Sequence, residues 1–155
     1  AASLYAAERA KTKGYAQVLW LDAAEHKYLE EVGTMNVFVQ IGDTFITPPL
    51  EGSILDGVTR NSILTLLREW KYEVIERPIS IDEIDRAYTD GRLKEVFGCG
   101  TGAVISPVGE LGYKDKRMII NDKRPGAISQ RLFHEITGIQ QGRIADHRGW
   151  LVAVT

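Results

Sequence analysis

The chain has 155 residues, of which 44% are hydrophobic and 26% are charged, and its net charge at pH 7 is −2. This size and composition are typical of one globular domain with a substantial core. The charge gives no basic surface for nucleic acid or an anionic membrane, and no apolar run reaches the roughly 18 residues of a membrane span. The single cysteine, Cys99, excludes a disulfide framework within the chain and suits a reducing, cytoplasmic compartment.

The first half of the chain predicts two helices and several strands. Residues 1–13 are rich in strong helix formers, and Gly14 is a good helix stop. An apolar stripe predicts a second helix over residues 59–70. Strands are predicted as a buried run at 17–22, a strand through Glu30 and Glu31 that ends in a bend at Gly33, a hairpin of 37–41 and 44–47, and a strand at 72–77.

The second half predicts two more helices and a glycine-rich corner. Residues 80–83 have the form of a capping box that opens a third helix, and residues 125–139 predict a fourth, with Gly138 as a candidate break. A short strand at 95–97 runs into the corner, and further strands are predicted at 103–108 and 118–120. Because strands and helices do not alternate strictly, the pattern favours an α+β or mixed α/β fold.

Glu30 and Glu31 stand next to each other on a predicted strand, so their side chains point to opposite faces. If one face of the sheet is covered, one carboxylate points to solvent and the other points inward. A buried carboxylate is costly unless a cation or hydrogen-bond donors meet it. One of the two glutamates therefore needs a partner.

Two glycine-bearing segments could bind an anion. Gly57 precedes the second helix, whose first backbone N–H groups have no intrahelical acceptor. The alternative is a plain turn in which Asp56 or Thr59 caps the helix. The corner at residues 98–102 could likewise form an anion nest or a tight turn, and it matches neither a P-loop nor a dinucleotide fingerprint.

Other reactive residue types show no catalytic or metal-binding pattern. The three histidines lack metal-ligand spacing, so we predict no metal site. Cys99 has no activating neighbour in the sequence and is interpreted as a small core residue. The pair Asp146-His147 has no serine elbow to complete a hydrolase triad.

Three segments, 30–36 (EEVGTMN), 55–60 (LDGVTR) and 97–101 (FGCGT), resemble in this order the branched-chain amino acid aminotransferases. These are pyridoxal-phosphate enzymes of fold type IV, the D-amino acid aminotransferase-like fold. The likeness extends over the whole chain. It implies that residues 1–155 form one domain, the large C-terminal cofactor-binding domain, without the N-terminal small domain.

The resemblance implies a role for ten residues. Glu31 matches the glutamate that meets the pyridine nitrogen of pyridoxal 5′-phosphate, and Leu55 the residue against its ring. The phosphate is held in the family by residues that match Gly57, Val58, Thr59 and Thr101. Residues that match Thr34, Met35, Gly102 and Ala103 form the substrate site.

Two departures from the family pattern affect the predicted chemistry. Ala103 and Ser106 stand where some members carry a redox Cys-x-x-Cys, so we predict no thiol switch. The family's Schiff-base lysine belongs to a Lys-x-Gly-Gly-Asn-Tyr segment that lies upstream of the position of Ala1. No lysine of this chain matches it, and we expect the chain alone to contain no catalytic residue and to be inactive.

The resemblance predicts an enzyme that interconverts L-leucine, L-isoleucine or L-valine with their 2-oxo acids, with 2-oxoglutarate and L-glutamate as the other pair. Its partners would be these small molecules and a second subunit, in a homodimer. Two alternatives stay open. One is another fold type IV enzyme, a D-amino acid aminotransferase or an aminodeoxychorismate lyase, and the other is a non-catalytic anion-binding domain.

Overall fold

A computed structural model of the chain describes residues 2–52 and 54–154. In this part of the chain there are four α-helices, α1 (Ala2–Thr12), α2 (Val58–Glu69), α3 (Ile81–Thr89) and α4 (Ala127–Gln140). The strands of the same residues are β1 (Leu19–Leu21), β2 (Leu29–Val32), β3 (Met35–Ile41), β4 (Thr44–Thr47), β5 (Glu73–Glu76), β6 (Leu93–Gly100), β7 (Val104–Pro107), β8 (Glu110–Tyr113) and β9 (Lys116–Ile119). None of the helices described has the length and apolar character needed to cross a membrane.

Seven of these strands form a mixed sheet around β3. One side of β3 pairs with β6, and the other side pairs with β2 near its start and with β4 near its end, all antiparallel. β1 extends the sheet from β2 and β7 extends it from β6, while β4 and β5 pair in parallel. β8 and β9 form a separate antiparallel hairpin. The mixed α/β fold class predicted from the sequence is confirmed.

The sheet is covered on both faces, and this explains the apolar run over residues 37–39 in the middle of β3. Phe38 lies on the face that packs under α2 and α4, together with Phe45 and Phe97. Val37 and Val39 lie on the other face, which packs under α3 and the β8–β9 hairpin. Neighbouring residues of a strand point to opposite faces, so a run buried on both sides must be continuously apolar.

Most elements lie where the sequence predicts them. Gly14 ends α1 with a φ of +83°, and Gly42 makes the β3–β4 turn with a φ of +61°. These are left-handed conformations that glycine adopts without a steric cost. Ala1, included in the predicted first helix, lies outside the described residues. α4 passes through Gly138 without a break.

Two predictions from the sequence were wrong in detail, and one strand was missed. β1 is a three-residue, half-buried strand rather than a buried run over residues 17–22. Gly98 and Gly100 lie inside the eight-residue strand β6, so the predicted corner is confined to the turn at residues 101–103. β8 was not predicted, because Gly112 interrupts its apolar pattern.

Candidate functional site

A cleft of about 460 Å³ opens where β2, β3 and β6 meet the start of α2. All ten site residues predicted from the sequence line this cleft, although they come from three separate parts of the chain. They are Glu31, Thr34, Met35, Leu55, Gly57, Val58, Thr59, Thr101, Gly102 and Ala103.

Three neighbouring strands supply the polar wall of the cleft. Glu31 of β2 pairs with Asn36 of β3, and Asn36 pairs on its other side with Cys99 of β6. Residues directly opposite each other in an antiparallel pair share a face of the sheet. This register therefore places one carboxylate, one carboxamide and one thiol in a row on a single face.

The Glu31 carboxylate meets a backbone donor. Its Oε1 accepts a hydrogen bond of 3.3 Å from the Leu55 N–H. The expectation that one of the two glutamates faces inward and the other faces solvent is only partly met, because Glu30 and Glu31 are both half-buried. Glu31 is the one of the two that lines the cleft.

The start of α2 contributes backbone donors. Gly57 is the N-cap residue with φ −76° and ψ 128°, and in the described part of the chain no side chain caps the helix here. The alternative in which Asp56 or Thr59 caps α2 is therefore not adopted. The first N–H groups of a helix lack intrahelical acceptors, and the helix dipole makes this end positive. Together they make the start of α2 a site for an anionic group.

Arg60 fixes the first turn of α2 on the sheet. Its side chain is only 2% exposed and donates hydrogen bonds of 2.9 Å to the Pro48 carbonyl and to the Glu76 carboxylate. Because a buried charge is costly without partners, these bonds hold the first turn of α2 against the ends of β4 and β5. Beside it, the apolar side chains of Val58 and Leu55 are 83% and 70% exposed at the cleft.

The turn at residues 101–103 closes the cleft from β6 and β7 with three exposed residues. Gly98 lets the Met35 side chain lie across β6, since a Cβ at Gly98 would stand 2.6 Å from Val32 Cγ1 and 3.0 Å from Met35 Cε. The glycine at position 98 is therefore required by the packing of Val32 and Met35 on β6. Met35 also lines the cleft.

The β2–β3 turn that carries Thr34 is held by the edge strand β1 and the residue before it. Gly33 adopts a φ of +62°, its N–H donates to the Val18 carbonyl at 2.8 Å, and its carbonyl accepts 2.9 Å from Trp20 Nε1. These bonds come from β1 and the residue before it. They restrict the position of Thr34 at the rim.

Several residues that line the cleft were not predicted as site residues. They are Gln17, Asn36, Cys99, Gly100 and Ser106. Asn36 belongs to the segment that carried the resemblance, but its contact with residue 55 depends on chain folding over 19 positions. Cys99 was interpreted as a core residue, and burial raises the pKa of its thiol to about 12, so the thiol is protonated at neutral pH.

The cleft has no lysine among its described residues. Likewise, no three His, Cys, Asp or Glu side chains of the described chain converge as a metal site would need. What the cleft offers is the Glu31 carboxylate, backbone donors at the start of α2, the exposed turn 101–103, and the exposed apolar side chains of Leu55 and Val58. Such a site is suited to a planar ligand with a cationic N–H at one end and an anionic group at the other.

Residues 1–111 match the family described as Amino-transferase class IV. Because this match covers well over half of the 155 residues, the chain belongs to the class IV aminotransferases.

Its relatives within this family include bacterial enzymes of one specificity. The chain is 53% identical over 154 residues to branched-chain-amino-acid aminotransferase 2 of Bacillus subtilis, which covers 99% of this chain and 42% of that protein. It is 44% identical over 155 residues to the branched-chain-amino-acid aminotransferase of Mycolicibacterium smegmatis, over 97% of this chain and 42% of that protein. The chain thus spans about two fifths of the length of the curated relatives it matches.

Solved structures of similar proteins share the fold. The branched-chain amino acid aminotransferase of Escherichia coli superposes with a TM-score of 0.81 at 30% identity, over 99% of this chain and 46% of that one. The branched-chain amino acid aminotransferase of T.th., solved in complex with N-(5′-phosphopyridoxyl)-L-glutamate, superposes with a TM-score of 0.79 at 27% identity, over 99% of this chain and 47% of that one.

Proposed function

We propose that this chain is the cofactor-binding large domain of a branched-chain amino acid aminotransferase that uses pyridoxal 5′-phosphate. The observation that carries the proposal is the single cleft that contains both the Glu31 carboxylate and the uncapped start of α2. The specificity of the relatives at 53% and 44% identity supports the substrate class. The phosphopyridoxyl compound bound to a structural relative supports the cofactor.

The residues of the cleft fit pyridoxal phosphate at both ends. The N–H groups at Val58 and Thr59 would bind the phosphate, because they lie at the positive end of α2 and have no side-chain acceptor among the described residues. The hydroxyl of Thr101, which lines the same cleft, would join them. Leu55 and Val58 present exposed apolar surface of the kind that an aromatic ring covers.

Glu31 would hold a proton on the pyridine nitrogen. A carboxylate beside a protonated nitrogen favours the charged form of the pair. With this nitrogen protonated, the bound cofactor withdraws electrons from the α-carbon of the substrate. The hydrogen bond from the Leu55 N–H fixes the rotamer of Glu31 without neutralising its charge.

The turn at residues 101–103 would bind the substrate carboxylate. Gly102 and Ala103 are exposed at the cleft, and a Cβ at Gly102 would meet nothing within 4 Å, so this wall is open to a ligand. Thr34 and Met35 line the same cleft and would contact the rest of the substrate. We infer L-leucine, L-isoleucine, L-valine, L-glutamate and their 2-oxo acids as substrates.

The remaining parts of the proposal concern the whole protein. A lysine from a Lys-x-Gly-Gly-Asn-Tyr segment upstream of Ala1 would attach the cofactor and transfer the proton, since the cleft has no lysine among its described residues. The active protein would be a cytoplasmic homodimer. Its mass in solution, measured by light scattering, tests the dimer.

The decisive experiment measures transamination by the full-length protein that contains this chain. With pyridoxal phosphate and 2-oxoglutarate, we expect conversion of L-leucine, L-isoleucine and L-valine and none of D-alanine. Activity confined to D-amino acids, or lyase activity on aminodeoxychorismate, would instead identify another enzyme of the same fold. Absence of all three activities would favour an anion-binding domain.

The 155-residue chain should be inactive by itself, since its cleft lacks a lysine among the described residues. We expect weak, reversible binding of pyridoxal phosphate, seen as a change in its absorbance, without production of L-glutamate. Transamination by the purified chain would contradict this expectation.

A further inference from the structure

Asn36 connects the paired strands β2 and β3, the first of which carries Glu31, to the segment that precedes α2. Its side chain is 5% exposed, and its Nδ2 donates a hydrogen bond of 2.8 Å to the Leu55 carbonyl. The N–H of the same residue, Leu55, donates to Glu31 at 3.3 Å. Asn36 and Glu31 are direct cross-strand partners of β3 and β2. A single pair of facing side chains therefore holds residue 55 by both its N–H and its carbonyl group.

The same asparagine explains why residue 57 is glycine. A Cβ on Gly57 would stand 2.2 Å from Asn36 Oδ1, while the Arg60 Cβ, at 3.6 Å, is at an ordinary contact distance. The backbone of Gly57, with φ −76° and ψ 128°, is open to any residue. The need for glycine thus comes from the approach of Asn36 and not from backbone conformation.

We propose that Asn36 is the positioning residue that sets the first turn of α2 against Glu31 and thereby fixes the distance between the carboxylate and the anion-binding N–H groups. Asn36 holds Leu55, and Gly57 and Val58 follow within three positions. Three adjacent chain positions leave little freedom between the bonded carbonyl and the first helical N–H. A ligand that must satisfy both ends of the cleft requires this spacing, because binding strength depends on groups held in place beforehand.

The identity of the ligand rests on the proposed function, but the positioning role does not. It is therefore tested twice in the full-length protein, once with pyridoxal phosphate as the probe and once without any ligand. The variants are Asn36→Ala, Gly57→Ala and the two combined. Thr47→Val is the matched control, because Thr47 is also buried and its hydroxyl donates 2.7 Å to a backbone carbonyl, that of Val37.

With pyridoxal phosphate, we expect Asn36→Ala to raise the dissociation constant about tenfold, the effect of losing one buried hydrogen bond at the site. Thr47→Val should change it less than about twofold, even though it removes a similar bond from the core. Gly57→Ala should also weaken binding. The double variant should bind no worse than Asn36→Ala, because shortening residue 36 removes the atom that the new methyl group would meet.

Without ligand, hydrogen exchange should be faster in Asn36→Ala than in wild type at two hydrogen-bonded amides, that of Leu55, which donates to Glu31, and that of Asn61, which donates to the Gly57 carbonyl. It should be unchanged in Thr47→Val. Unchanged cofactor affinity and exchange in Asn36→Ala would overturn the inference, as would fully additive effects of Asn36→Ala and Gly57→Ala. If the wild type bound no pyridoxal phosphate, the proposed function would fail. The exchange result would still decide the role of Asn36.

Discussion

Glu31 owes its proposed role to where its carboxylate stands and to the one backbone donor that meets it. The Leu55 N–H reaches Oε1 at 3.3 Å, and the side chain is half-buried at the cleft. A glutamine at this position keeps an oxygen for Leu55 but carries no charge. It therefore separates the shape of the site from its electrostatics.

Glu31→Gln in the full-length protein should reduce the turnover of L-leucine by about a hundredfold, the size of effect typical of losing one preorganised electrostatic partner. Cofactor affinity should fall less than about tenfold, because the phosphate contacts at the start of α2 are untouched. Steady-state kinetics and absorbance titration measure the two effects. Glu30→Gln, one residue along β2 on the opposite face, is the control for charge. Unchanged turnover in Glu31→Gln would refute the role.

The ten predicted site residues line one cleft, and they could be predicted because the family resemblance indicates which distant residues come together in the fold. The residues alone left open which glutamate faces the site and whether Gly57 begins a binding loop or a plain turn. Asn36 escaped prediction for a physical reason. Its function depends on the Leu55 carbonyl, 19 positions away, and no local pattern encodes that contact.

α4 begins under a carboxylate from the sheet. Glu95 of β6 is 7% exposed and accepts hydrogen bonds of 2.9 Å from the N–H groups of Ile128 and Ser129. Gly126 precedes the helix, and a Cβ there would stand 1.8 Å from the carboxyl carbon of Glu95. The acceptor that caps α4 therefore comes from a strand, 31 positions before the N-cap residue.

Gly126→Ala should lower the free energy of unfolding by about 1–3 kcal/mol, the cost of forcing an extra carbon into a packed site. The φ of −72° at Gly126 suits alanine, so the loss would come from the Glu95 contact. Urea unfolding measures the change. Gly102→Ala is the matched control, because a Cβ at Gly102 meets nothing within 4 Å. Equal stability of the two variants would contradict the packing argument.

Short sequence motifs predicted the ends of helices and strands where those ends depend on contacts between residues close in the chain. Ser80 caps α3 by accepting a hydrogen bond of 3.1 Å from the Glu83 N–H, as the capping-box pattern predicts. The reciprocal half of the box does not form as predicted. The Glu83 side chain instead forms two hydrogen bonds, of 2.5 and 3.0 Å, with Arg77. A charged partner six positions away competes successfully for this carboxylate.

The residues after α4 are fastened to both helices of one sheet face. The Arg148 guanidinium binds the Glu69 carboxylate through Nε, at 3.1 Å to each oxygen, and lies 3.7 Å from the Glu135 carboxylate. It also lies over the Trp150 ring, which packs against the core under α2 and α4. Arg148 thereby ties the residues after α4 to the two helices that cover this face of the sheet.

Arg148→Ala should release residues 144–154 and cost about 1 kcal/mol, because the Glu69 side chain is 45% exposed and solvent screens its ion pair with Arg148. Limited proteolysis should cut the variant in this segment much faster than wild type. Arg148→Lys should behave almost like alanine, because lysine cannot make the forked contact. Arg143→Ala, an exposed arginine nearby, should leave proteolysis unchanged. If residues 144–154 of Arg148→Ala resisted proteolysis as well as wild type, the packing of Trp150 alone would be enough to hold this segment.

The β8–β9 hairpin is joined to the chain after α1 through Glu110. Its carboxylate accepts 2.6 Å from Arg117 Nε, 2.6 Å from Lys123 Nζ and 3.2 Å from the Tyr15 hydroxyl. The hydrogen bonds from Arg117 and Lys123 lower the pKa of Glu110 from 4.5 to about 2. One ionised carboxylate thus connects the β8–β9 hairpin to the residues after α1 and to the residues after β9.

Because the folded-state pKa of Glu110 is depressed, its contribution to stability is complete above the unfolded pKa of about 4.3 and is lost as the pH falls towards about 2. Glu110→Gln should therefore be less stable than wild type at neutral pH, and the difference should shrink steadily below about pH 4.5. Urea unfolding over this range measures it. Arg117→Gln removes the charged donor of the same ion pair, and its stability should converge with that of wild type over the same pH range. A difference that stays constant down to about pH 2 would mean that Glu110 acts through packing and not through its charge.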